Sequence, residues 1–306
     1  VRIGTRGSRL ALAQAGGVRR RLAAAFPSLR FALRIIRTRG DEFQATELFR
    51  RAGAVGVFTK TIERELLAGR IDLAVHSLKD LPTEPAKGLV IAAIPRRLDP
   101  SDALVSRDGR TLSALPEGAA VGTGSPRRAR QLLLARPDLD VRPMRGNLDT
   151  RIGKVLKSRE LDAVLVARAG LLRLGRRYLS RARRVDPEKL LPAPGQAALA
   201  LQSRASDTAL RRMLRRLHHP ATEAAVNAER SFLHALRGGC RVPVGALATV
   251  RNGRLVLRGA VFSMRSPGYL SGTVTGTRSR AQAIGRALAA RLLSRGAARF
   301  LKEARA

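Results

Sequence analysis

Ile71-Asp72-Leu73-Ala74-Val75-His76-Ser77-Leu78-Lys79-Asp80-Leu81-Pro82 begins as a near-continuous apolar run and passes directly into a polar turn stopped by proline. Apolar residues on both alternating faces read as a strand buried in a parallel sheet with helices on either side. In such sheets catalytic groups often sit just past the carboxyl ends of the strands, which brings Asp80 into view. Aspartate before a proline also favours a plain turn. The alternative is a general acid/base or a carboxylate that stabilises a cation, and the local sequence leaves both open. His76 competes for proton transfer, but a histidine directly following a buried strand reads better as a structural residue.

Working outward from that strand, the same grammar recurs. Val1 to Thr5 reads as a short strand, with Ser8 capping a helix whose apolar positions Leu10, Leu12, Ala13, Val18 and Leu22 keep helical spacing. Residues 30–38 alternate as a strand, and Arg50 to Phe58 reads as a glycine-bearing lid before a helix over Thr59 to Leu67. A strand at 89–94 ends at Pro95, and Arg96 to Pro100 reads as a crossover. Strand Ala119 to Gly122 then leads to Thr123-Gly124-Ser125-Pro126-Arg127-Arg128, with Ser125 at the N-cap and Pro126 at the first helical position. Strand 139–144 leads to Arg145-Gly146-Asn147, and strand Leu161 to Val166 leads to Ala169 through Gly175. This alternation implies two α/β domains with parallel sheets and ligand crevices at their strand ends. Leu191 to Gln196 is a proline-rich hinge, after which strand Ala197 to Gln202 and a helix over 207–217 return to the first domain. Helix 221–236, an Asn252-Gly253 hairpin signal and a C-terminal helix from Ser279 make a small α+β third domain. The expected boundaries are 1–96 with 197–217, 100–192, and 220–306.

A chain of 306 residues exceeds what one core usually supports, consistent with several domains. It carries 59 Lys and Arg against 23 Asp and Glu, a net charge of +36, and seven of the basic residues are lysine. That balance points to anionic partners. A 3% aromatic content without tryptophan leaves few stacking platforms, which argues against a specific nucleic-acid binder. Arg19 to Arg21, Arg176-Arg177, Arg183-Arg184, and Arg211-Arg212 with Arg215-Arg216 read as solvated faces. No apolar run approaches the ~18 residues of a membrane span. The single cysteine excludes an internal disulfide and a multi-cysteine metal site. A cytoplasmic protein is the expectation, with no metal.

That cysteine lies in Arg237-Gly238-Gly239-Cys240-Arg241-Val242-Pro243-Val244-Gly245. Glycines let something bulky approach the sulfur, and an adjacent arginine favours the thiolate. A small buried hydrophobe in a turn is the competing reading. Elsewhere, strand-to-helix junctions share one design: Arg6 with Ser8, Arg127 and Arg128 with Thr123 and Ser125, Arg145 and Arg151 with Asn147, and Arg173. A helix N-terminus offers unpaired N–H groups, and a guanidinium adds a fork matched to a carboxylate. Several such junctions suit a substrate bearing several carboxylates.

The stretches TRGSRLALAQA (5–15), TRGD (38–41), AVHSLKDLP (74–82), GTGSPRR (122–128), RGNLDTR (145–151), AGLLRLG (169–175), LPAPGQ (191–196) and GGCRVPVG (238–245) occur in the order and spacing of the porphobilinogen deaminases. The chain resembles that family, also called hydroxymethylbilane synthases, over nearly its whole length. The resemblance implies two domains like the halves of a type II periplasmic binding protein and a third, α+β domain. It implies a dipyrromethane cofactor on Cys240 by a thioether, four porphobilinogen molecules added in turn with loss of ammonia, and hydrolytic release of the linear tetrapyrrole. By the same resemblance Asp80 is the catalytic aspartate. Ser8, Lys79, Thr123, Ser125, Arg127, Arg128 and Gly146 match cofactor-binding positions, and Arg6, Gln14, Arg145, Arg151 and Arg173 match positions handling substrate and growing chain. A monomer is expected. Two departures stand out: Val55 lies where the family commonly has a lid lysine, and Gly195-Gln196-Ala197-Ala198 replaces the family's GQGA.

Overall fold

The computed structural model describes residues 1–37, 59–238 and 242–304. The chain opens with β1 (Arg2–Thr5), α1 (Arg9–Ala25), β2 (Ala32–Ile35), α2 (Lys60–Leu67), β3 (Leu73–Ser77) and β4 (Leu89–Ala93). Next come β5 (Asp102–Ser106), β6 (Ala120–Thr123), α3 (Pro126–Ala135), β7 (Asp140–Pro143), α4 (Leu148–Leu156), β8 (Ala163–Ala167), α5 (Arg168–Leu174) and β9 (Ala182–Arg184). The remainder is β10 (Leu199–Arg204), α6 (Thr208–Leu214), α7 (Pro220–Ala235), β11 (Val244–Arg251), β12 (Arg254–Phe262), β13 (Tyr269–Thr277), α8 (Ala281–Ser294) and α9 (Ala297–Glu303). Two compact units result, Val1–Leu98 with Ala197–Glu223 and Asp99–Gln196 with Ala224–Ala306.

The first unit holds a five-stranded sheet in the order β2-β1-β3-β10-β4. β1 runs parallel to β2 and β3, while β10 is antiparallel to both its neighbours. Leu73 and Val75 pack with Val18 and Leu22 of α1, whereas Ala74 meets Ile62 and Leu66 of α2, so both faces are covered. Each of the buried Val, Leu and Ile side chains contributes roughly 1.5–3 kcal/mol. The second unit repeats the plan in β7-β6-β8-β5-β9, with β5 antiparallel to β8 and β9. Its faces are filled by Val164, Val166 and Ile152 on one side and by Leu104, Val121 and Leu165 on the other.

The sheets are therefore mixed, not parallel throughout as the alternation of elements implies. An apolar run has the same periodicity whichever way it points, so strand direction is invisible in it. β5 and β9 also escape the sequence reading: β5 follows closely on the stretch read as a crossover, and β9 has three residues, two of them arginine. Within the second unit, β11, β12 and β13 form the expected antiparallel sheet, covered by Phe232, Leu288 and Leu292. Asn252 and Gly253 take φ of 48° and 73° and close the β11–β12 hairpin, as that dipeptide favours. Among the described residues no helix is long and apolar enough to cross a membrane.

Candidate active site

In the first unit the parallel pairing of β1 with β3 carries Arg6 and Ser8 out at the same sheet edge as Ser77, Lys79 and Asp80. Ser8 caps α1, its Oγ accepting from the Ala11 N–H at 3.3 Å. A short 3-10 turn over Leu78–Asp80 follows β3 and leaves Asp80 exposed and Lys79 half-buried. The Leu78 N–H donates to the Ala198 carbonyl at 3.0 Å, fixing that turn against β10. Gln14 is buried, and its amide donates to the Ser77 hydroxyl at 3.0 Å. His76 is buried too, and burial, opposed by Gln202, lowers its pKa to about 4. It is a neutral residue of the strand.

In the second unit, the parallel strands β6, β7 and β8 deliver Thr123, Arg145 and Arg168 to one edge, and antiparallel β5 begins there, with Asp102 level with Ala167. The turns behind β6 and β7 are knit together: a Cβ on Gly124 would lie 2.3 Å from the Met144 carbonyl oxygen, so only glycine fits. Gly146 has a φ of 107°, and its carbonyl accepts from Arg151 Nε at 2.7 Å. Neither the Ser125 side chain before α3 nor the Asn147 side chain before α4 makes a capping hydrogen bond. Arg145 is exposed, and Thr123 is buried.

Arg127 and Arg128 are buried around Asp102, which is 0% exposed. Arg127 Nη2 donates to Asp102 Oδ2 at 2.8 Å and Arg128 Nη2 to Oδ1 at 2.7 Å. Burial alone would raise the Asp102 pKa, but the two guanidinia outweigh it and hold the carboxyl well below the usual range. The Nε–H of each arginine is buried without a partner. An unpaired buried donor costs about 1–3 kcal/mol, and a ligand carboxylate oxygen is an acceptor suited to it.

Arg173 departs from the expected junction design. α5 starts at Arg168, so Arg173 lies in its last turn, where burial lowers its pKa to about 10. The junction residue is Arg168, paired with Asp99 at 3.2 Å. Cys240, the lid stretch with Val55 and the whole of TRGD lie outside the described residues. Four side chains with structural roles around this edge escaped sequence reasoning: Asp102, Gln131, Gln196 and Glu229. A charge heading an apolar run, as in Asp102-Ala103-Leu104-Val105, was the available signal for the first.

The fold and these edges define an α/β protein with arginines gathered at its strand ends. The model described as porphobilinogen deaminase, dipyrromethane cofactor binding domain, matches residues 1–212, and the porphobilinogen deaminase C-terminal domain matches residues 224–294. The porphobilinogen deaminase of Desulforudis audaxviator is 48% identical over 305 residues, 99% of this chain and 97% of its own. That of Nocardia farcinica is 49% identical over 312 residues, 99% of this chain and 88% of its own. The chain belongs to the porphobilinogen deaminase family. Among solved structures, a probable amino-acid ABC transporter extracellular-binding protein from Bacillus subtilis is similar over 71% of this chain and 89% of its own, at 9% identity and a TM-score of 0.42.

Proposed function

We propose that the chain is a transferase of tetrapyrrole biosynthesis with hydroxymethylbilane synthase activity, taking porphobilinogen as substrate and dipyrromethane as covalent cofactor. It adds four porphobilinogen units with loss of ammonia at each and releases the linear tetrapyrrole by hydrolysis. The observation that carries this reading is the match of both family domains along the chain. Cys240 is the attachment point by thioether. The cofactor supplies, when bound, a pyrrole carbon able to attack the activated substrate.

The residues present fit that group. A dipyrromethane bears acetates and propionates, and the unpaired Nε–H groups of Arg127 and Arg128 call for carboxylate oxygens. Ser8, Lys79, Thr123, Ser125, Arg127, Arg128 and Gly146 hold the cofactor, the last through its backbone. Arg6, Gln14, Arg145, Arg151 and Arg173 orient porphobilinogen and the lengthening chain, whose carboxylates multiply with each unit. Asp80 accepts the pyrrole N–H, stabilises the positive charge that develops as ammonia leaves, and passes a proton at the reacting carbon. Three domains divide this labour: 1–96 with 197–217, 100–192, and 220–306. The protein works as a cytoplasmic monomer.

The experiment is an assay of porphobilinogen consumption coupled to intact-mass spectrometry and peptide mapping. An added mass of two pyrrole units on Cys240, together with turnover, is the expected result. Turnover by a Cys240→Ser protein with no added mass refutes the attachment. Light scattering at twice the chain mass refutes the monomer.

A further inference from the structure

The two arginines at the start of α3 are placed against the preferences of a stable helix. Pro126 is the first helical residue, so Arg127 and Arg128 occupy the next two positions, and no acidic residue lies in that turn. Cations there oppose the positive end of the helix dipole. Both are also buried, where a charge costs more than an apolar side chain of the same size. Asp102 offsets one of the two charges and leaves the group with a surplus of one positive charge, which corresponds to one ligand carboxylate.

Asp102 is itself held from several sides. Gln196 Nε2 donates to Asp102 Oδ1 at 2.8 Å and to the Pro100 carbonyl at 2.7 Å. Asp99 and Gln196 are the residues of this unit at which the chain enters from and leaves for the other unit, so Gln196 laces the two crossing segments together. Arg127 Nη1 donates to the Leu191 carbonyl, and Gln131 brackets the same residue, its Oε1 accepting from Leu191 N–H at 2.7 Å and its Nε2 donating to the carbonyl at 3.0 Å. The Gly195 N–H donates to Glu229 Oε2 at 2.8 Å, and the Ala246 N–H to the Pro192 carbonyl at 2.9 Å. Within the 191–196 segment, Leu191 is thus pinned to α3, Pro192 to β11 and Gly195 to α7.

We propose that Asp102 is a positioning residue: one carboxylate oxygen per guanidinium presets Arg127 and Arg128 so that their remaining N–H groups face a carboxylate of the cofactor or growing chain, with Gln196 fixing Asp102 in turn. This rests on the assignment of Arg127 and Arg128 to the cofactor made above. Pre-orienting a planar fork removes rotamer freedom before the ligand arrives, so less is lost on binding. A purely structural ion pair has no need of the second arginine.

The test compares wild type, Asp102→Asn, Gln196→Met and Arg128→Gln, each with its unloaded Cys240→Ser counterpart, loading being verified by intact mass. The readouts are the difference between loaded and unloaded thermal midpoints, and the KM and kcat of the loaded proteins for porphobilinogen. Asp102→Asn is expected to shrink the midpoint difference to less than half and to raise KM by roughly 10-fold or more, the scale on which outer partners orient ligand-holding groups. Its kcat changes less than its KM. Equal falls of both midpoints with an unchanged KM reduce Asp102 to a structural ion pair and overturn the proposal alone. If Arg128→Gln leaves the midpoint difference intact, the arginine assignment falls and takes the proposal with it. Should Asp102→Asn not fold, Gln196→Met decides, since it keeps all three charges: the same shifts support the proposal, and wild-type values overturn it.

Discussion

The Gln14 side-chain amide donates to the Ser77 hydroxyl at 3.0 Å, tying α1 to the last residue of β3, three positions before Asp80. The position that the family resemblance gives to substrate handling is engaged with the strand that leads into the Asp80 turn. Gln14→Leu keeps the volume and leaves the Ser77 hydroxyl without that partner, at a cost of about 1–3 kcal/mol. A urea titration is expected to show the loss. An unchanged midpoint with a raised KM assigns the amide to substrate alone.

Asp80→Asn preserves shape and removes the charge. With preformed cofactor loaded and confirmed by mass, turnover is expected to fall by at least ~10²-fold, the scale of losing one preorganised electrostatic group. A loaded mutant within about tenfold of wild type, only ~1.4 kcal/mol of barrier, makes Asp80 a turn former and moves the catalytic role elsewhere.

Arg211, Arg212 and Arg215 line a cavity of about 340 Å³ with Val90, Ile91, Ala92 and Thr208, and none of them belongs to the strand-end edge. Replacing these three and Arg216 by glutamine is expected to leave turnover near wild type. Arg145→Ala alone is expected to cost tenfold or more, since a charge-assisted hydrogen bond is worth ~1.5–3 kcal/mol. Equal losses from both proteins refute the division between solvated and ligand-holding arginines.

Burial lowers His76 from 6.5 to about 4. Because the unfolded chain takes up its proton first, the effect on stability is nil above about pH 6.5, grows as pH falls, and is complete near pH 4. At 1.36 kcal/mol per pH unit the full effect is roughly 3 kcal/mol. His76→Asn is expected to lose less stability than wild type between pH 7 and pH 4 in denaturant titrations at stepped pH. Parallel pH profiles contradict it.

Ala197 has a φ of 72°, at the position where the family pattern GQGA has its glycine. A left-handed alanine costs roughly 1–2 kcal/mol, more than the ~0.5–1 kcal/mol of extra unfolded-chain entropy that a glycine brings. Ala197→Gly is therefore expected to raise the thermal midpoint modestly while leaving turnover intact. A lower midpoint means that the alanine methyl contributes more by packing than its backbone loses by strain.

Asp80 after a buried strand, the serine cap of α1, the proline start of α3 and the hairpin at Asn252-Gly253 were all legible in the sequence, because each depends on residues close together in the chain. The family pattern was legible for the same reason, as short stretches in fixed order. The antiparallel sense of β5 and β10 was not, since direction leaves no mark on a run of apolar residues. Nor was the fate of Arg127 and Arg128: their carboxylate partner lies 25 and 26 residues away and is brought to them only when β5 pairs with β8. Local sequence determined which chemistry each strand end carries. Tertiary pairing alone decided which guanidinia are already engaged and which of their N–H groups stay unpaired, because a buried charge takes its state from whatever the fold packs against it.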